Sequence, residues 1–87
     1  MTFDSRLRKE LGSYLKSCRH KTKLTQISCA KTVKVSAQFL GAVEKGKVPC
    51  PQHVLQELIP LLDLKKIKVL QIFERGVNRQ IDKWFRI

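Results

Sequence analysis

Acidic residues are scarce in this chain of 87 residues: seven Asp and Glu stand against 18 Lys and Arg, for a formal net charge of +11. That imbalance makes a polyanion the natural partner, with an anionic membrane surface as its rival. Long apolar runs are missing as well, so nothing in the sequence is expected to span a bilayer. The opening MTFDSRLRKE is charged where a signal peptide needs an apolar stretch, and a soluble, cytoplasmic protein is expected. Cysteine is limited to Cys18, Cys29 and Cys50, odd in number and without a Cys-x-x-Cys or a nearby Cys/His pairing. This argues against a disulfide framework or a zinc site and reads as three reduced thiols acting as small buried hydrophobes. His20 and His53 have no acid or thiol at ligand spacing. There is no Gly-rich phosphate loop, no nucleophile–base motif and no pair of acids placed with a histidine. An enzyme is not expected, and no metal or cofactor is implied.

What is present is helical period. Leu7, Leu11, Leu15 and Cys18 form an apolar stripe with Lys16 and Arg19 off it, which predicts a first helix from about Asp4 or Ser5 to His20. After the polar run HKTK, Thr25 can cap a short second helix with Cys29, Ala30 and Val33 inward. Ser36 can cap a third, with Leu40 and Val43 on its buried side and Gly46 ending it. Pro49, Cys50 and Pro51 announce a fourth, striped by Val54, Leu55, Leu58, Leu61 and Leu62, which Pro60 either kinks or ends near Ile59. Strand evidence is confined to TVKVS, wedged between helical patterns. The expected fold is all-α, a compact bundle of about five helices whose last is long.

The charge is uneven. From Leu11 to Cys50 eight basic residues face one acid, Glu44, whereas from Pro51 onward seven basic residues face four acids. The polyanion should meet the first segment.

Within that segment the motifs Leu24-Thr25-Gln26, Ala30, Val35-Ser36, Phe39-Leu40 and Glu44-Lys45-Gly46-Lys47 fall in one order and spacing. Over Leu11 to about Leu62 they resemble the phage repressor/Cro-type (XRE-like) helix-turn-helix family. The resemblance implies a DNA-binding transcriptional regulator of repressor type, whose third helix enters the major groove of double-stranded DNA, and it implies association with the nucleoid when bound. It places Ser36, Ala37, Gln38 and Ala42 at base-reading positions and Gln26 at a phosphate-contact position. Physical chemistry adds that Gln38 could pair with adenine, that Ala37, Ala42 and Phe39 could touch thymine methyls, and that Lys23, Lys34, Lys45 and Lys47 could meet phosphates. The bland readings are solvated lysines, Phe39 at the core edge and Glu44 in a structural ion pair. Lys34 stands where the family commonly has Gly, a substitution that costs on the order of 1 kcal/mol if φ is positive there.

Beyond Asp63 the resemblance ends. Ile67, Leu70, Phe73, Val77, Ile81 and Trp84 step by three or four, with Gly76 on a different face. The chain therefore divides into a DNA-binding unit, residues 1–63, and a C-terminal helix, 64–87. That helix is expected to join a homodimer, the competing reading being that it folds back on its own core. The competing functions are a protein-binding adaptor or antitoxin-like partner and an RNA- or membrane-binding basic module.

Overall fold

The computed structural model describes residues 4–85, and these form five α-helices. They are α1 (Ser5–Lys21), α2 (Gln26–Thr32), α3 (Ala37–Glu44), α4 (Gln52–Leu61) and α5 (Lys66–Trp84). The caps explain where the first three begin. Asp4 Oδ1 accepts the Leu7 N–H at 2.7 Å, Thr25 Oγ1 the Ser28 N–H at 3.0 Å and Ser36 Oγ the Phe39 N–H at 3.0 Å. Each satisfies a donor that a helix start leaves without an intrahelical partner.

The first four helices also end alike. Leu24, Val35, Lys47 and Leu64 each donate a backbone N–H to the carbonyl five residues back, at 2.9–3.3 Å, across a residue in the left-handed region. That residue is Lys23 (φ 61°), Lys34 (φ 60°), Gly46 (φ 75°) and Asp63 (φ 51°) in turn. These are Schellman closures, and glycine occupies only one of the four. The corner position where the family has Gly is thus left-handed here too, with lysine bearing the strain.

The core collects Leu7, Leu11 and Leu15 of α1, Cys29 and Ala30 of α2, Leu40 and Val43 of α3, Val54 and Leu58 of α4 and Ile72 of α5, with the linking residues Val33, Cys50, Leu62 and Leu64. All three cysteines are buried and free. Helix α1 is the hub, packed on α3 along one side and antiparallel to α5 along another. Its approach to α3 is close: a Cβ on Gly12 would collide with the carbonyl oxygens of Val43 and Glu44, the latter at 2.6 Å, and one on Gly46 would sit 2.7 Å from Lys9 Cα. Pro51 is the N-cap of α4, just outside the helix, which runs one residue past Pro60 before closing at Leu62.

Helix α5 is one continuous helix, and the face it turns to α1 is centred on Ile72 and Gly76, to one side of the Ile67–Trp84 stripe. Ile72 and Gly76 are its buried residues, and Gly76 lies against Leu7, where an added Cβ would be 3.0 Å from Leu7 Cδ2. Val69 and Phe73 pack beside them. Arg75 pairs with Glu10 at 3.0 Å and Arg79 with Asp4 at 3.3 Å, while Tyr14 Oη accepts the Lys65 N–H at 2.8 Å and holds the start of the helix. Gly76, set apart from the stripe in the sequence pattern, therefore lies in the α1 contact: an added Cβ there would press on the Leu7 methyl groups, which would have to give by a few tenths of an ångström.

Candidate nucleic-acid interface

Helices α2 and α3 are joined by residues 33–36 and pack directly on one another, forming a helix-turn-helix. Ala30, 1 % exposed, supplies the small contact that two short helices need in order to cross closely, and Val33, Leu40 and Val43 fill the wedge between them. With Leu40, Val43 and Glu44 inward, the turn of 100° per residue directs Gln38, Gly41, Ala42 and the following Lys45 to the opposite side of α3.

A shallow concavity of about 380 Å³ opens there, lined by Gln26, Ala37, Gln38, Gly41, Ala42, Lys45 and Lys47. Six of the ten residues expected at a DNA surface are thus brought together, with Gly41 as the seventh wall. Ser36 lies at the edge as the N-cap of α3. Phe39 is half-buried against the core. Lys23 and Lys34 are exposed at the left-handed closures of α1 and α2 and do not line the concavity.

Beneath this surface lies a polar network centred on Glu44. Glu44 accepts Arg19 Nε at 2.7 Å on Oε2, and on Oε1 both Arg19 Nη2 at 3.2 Å and Gln26 Nε2 at 3.0 Å. Arg19 Nη1 reaches the Leu24 carbonyl at 3.0 Å. Both charged side chains are buried, 8 % and 2 % exposed. The network ties α1, the α1–α2 corner, α2 and α3 into one frame, and no buried side-chain nitrogen or oxygen among the described residues lacks a partner. Arg19 is therefore a buried structural residue and not one of the outward cations of the first helix. The clue was available: steps of four from Leu7, Leu11 and Leu15 arrive at position 19, and Glu44 is the one acid between Leu11 and Cys50 that could pair with it.

Two consequences bear on chemistry. Gln26 lies across Gly41, where an added Cβ would be 3.2 Å from its Nε2, so its amide is held in a fixed place on the concave face. Because Glu44 is buried and paired, the exposed charges from Leu11 to Cys50 are all lysines: Lys16, Lys21, Lys23, Lys31, Lys34, Lys45 and Lys47. Such a surface presents a positive field with no exposed acid of its own segment to offset it.

Burial raises the thiol of Cys50 to about 11, and that of Cys29 is raised by burial and then by the nearby Glu44 carboxylate. Among the described residues no three His, Cys, Asp or Glu side chains converge as metal ligands would, and no helix is long and apolar enough to cross a membrane.

The fold and this face define an all-α helix-turn-helix bundle with a basic concave surface. It is similar to the crystal structure of the clp gene regulator ClgR from Corynebacterium glutamicum, at 25 % identity and a TM-score of 0.69, over 88 % of this chain and 82 % of that one. A second crystal structure of that regulator gives 23 % identity and a TM-score of 0.64, over 84 % and 91 %, a likeness of fold. No protein-family model and no curated protein matches the sequence.

Proposed function

We propose that this protein is a sequence-preferring, DNA-binding transcriptional regulator of the phage repressor/Cro (XRE-like) type, acting as a repressor by occupying its site. The observation that carries this reading is the coincidence of an outward α3 with a surface whose exposed charges are all lysines. Similarity to a gene regulator supports it. In this reading α3 enters the major groove with Gln38 as its one long polar base probe, while Ala37, Gly41 and Ala42 let the helix backbone approach closely. Gln26, Lys45 and Lys47 meet phosphates beside the groove, with Lys23 and Lys34 further out. Few base contacts leave much of the preference to DNA shape.

The regulator works as a homodimer through α5, residues 64–87 being its dimerisation element. Packing on α1 leaves Ile67 (66 % exposed), Leu70 (46 %), Ile81 (38 %) and Trp84 (62 %) in solvent, with Phe73 and Val77 half-buried between them. A face of this kind is characteristic of an interaction surface. Two copies would set two α3 helices about one DNA turn, ~34 Å, or a multiple apart and favour an inverted-repeat site.

Gel-shift titration of the intact chain against genomic fragments at several salt concentrations tests the first part. A discrete, salt-sensitive complex on a subset of fragments is expected, and absence of any DNA complex at low salt would refute it. Sedimentation of the intact chain at micromolar concentration tests the second: a dimer is expected, and a monomer would refute it.

A further inference from the structure

Away from the concave face, a second cavity of about 430 Å³ lies between the end of α1 and the start of α5. Its floor includes Cys18 and Leu62, both buried, and Tyr14, half-buried; Ile67 stands at its edge, and Lys21 and Lys68 carry ammonium groups beside it. The same helix α5 carries at its other end Phe85, which is 82 % exposed.

The register of α5 relates the two ends. Eighteen residues separate Ile67 from Phe85, and at 3.6 residues per turn this is five whole turns, so the two side chains leave the helix in the same direction. They are also ~27 Å apart along it, at 1.5 Å per residue. Phe85 cannot therefore reach the cavity of its own chain. In an antiparallel pair of α5 helices related by a dyad near residue 76, however, Phe85 of one copy lies level with Ile67 of the other and on the same side of the pair. Trp84 then falls beside Leu70 and the stem of Lys66. Gly76 faces Leu7, and the stripe that faces the dyad at Val77 lies about 100° around the helix from it, clear of that contact. The length of α5 permits this: Arg79 is paired to Asp4 at the start of α1, and the helix continues through Trp84.

We infer that the Tyr14–Cys18–Leu62 cavity is the receptor for Phe85 of a second copy. The inference rests on the α5 homodimer above and adds the residue the partner contributes. The ring passes Ile67 and settles on the apolar floor, with Lys21 and Lys68 near enough to the cavity to lie over its face as cation–π partners. By two-fold symmetry the contact is made twice. Because Tyr14 also holds the start of α5 through its bond to the Lys65 N–H, seating the ring against Tyr14 fixes α5 on α1 and with it the separation of the two α3 helices.

The test uses the intact chain carrying Phe85→Cys, oxidised mildly and run on a non-reducing gel, beside sedimentation of the unaltered chain. A covalent dimer is expected that disappears in Phe85→Cys/Cys18→Ala, since the bridge joins the introduced thiol of one copy to Cys18 of the other. Phe85→Ala, at an exposed position that leaves folding undisturbed, should raise the dimer dissociation constant at least tenfold. If the unaltered chain dimerises but the bridge survives Cys18→Ala or never forms, the docking is overturned while the α5 dimer stands. If the unaltered chain is monomeric, both fall.

Discussion

Replacing Arg19 by Met keeps most of the side-chain volume and removes the guanidinium from a pocket where it is 8 % exposed. Four hydrogen bonds disappear, two to Glu44, one to the Leu24 carbonyl and one shared with His20 Nε2, leaving the Glu44 carboxylate 2 % exposed with Gln26 as its remaining side-chain partner. Removing one member of a buried ion pair costs about 3–5 kcal/mol, because the other charge stays out of water without compensation. Set against a typical domain stability of roughly 5–15 kcal/mol, the loss is a large fraction. At about 4–8 °C per kcal/mol for a domain of this size, Tm should fall by at least ~12 °C in a thermal melt followed by circular dichroism. The double variant Arg19→Met/Glu44→Leu removes both charges and should recover more than half of that loss, because no unpaired charge remains. A fall of less than about 4 °C in the single variant, or a double variant no more stable than the single, would refute the view that this pair holds the α1–α2–α3 frame together.

Lys34→Gly relieves a left-handed residue at the α2–α3 corner and should stabilise by about 1 kcal/mol in urea unfolding, whereas an unchanged midpoint would show that the corner is not strained. Asp4 is held below its ordinary value of 3.8 by its hydrogen bond from Arg79 and then by the Leu7 N–H. Its contribution is therefore present above pH 3.8 and lost as pH falls through the lower, folded value, so Asp4→Asn should be less stable than the parent at pH 6 and equal to it near the acid end of a pH-resolved melt series. A difference that persists unchanged to the acid end would contradict the pairing. Cys29 and Cys50, buried and with raised thiols, should resist alkylation in the native chain at pH 8 and react on unfolding, as mass spectrometry of the labelled peptides would read; rapid native labelling of either would show that its site is open.

Local signals made much of the fold legible. Asp4, Thr25, Ser36 and Gly46 punctuate the chain by their own chemistry, and the stripes of α1 and α4 are narrow enough for period alone to say which side turns inward. The concave face was legible for a related reason, since once Leu40 and Val43 are placed inside, the rotation of α3 puts Gln38 and Ala42 outside. Helix α5 was not legible in the same way. Its apolar residues cover more than half its circumference, and which part meets α1 is decided by the fit of Gly76 onto Leu7, a contact 69 positions apart in sequence that no helical period encodes. Arg19 carries a charge that by residue type alone belongs at the surface, and only its pairing with Glu44, 25 positions away, takes it inside. The close approach at Gly12 was missed because a glycine within a helix carries no signal of what lies across from it.

Whether α3 and its flanking lysines form a DNA surface is read out by fluorescence anisotropy of a labelled duplex titrated with the intact chain between about 50 and 200 mM salt. On its selected site and on random DNA alike, Lys45→Ala and Lys47→Ala should each weaken binding and reduce the slope of log K against log salt by about 0.9. Gln38→Ala should cost about 1–3 kcal/mol on the selected site and far less on random DNA. Slopes unchanged in both lysine variants, together with equal affinity of the Gln38 variant and the parent for the selected site, would contradict the account and place the DNA on another face.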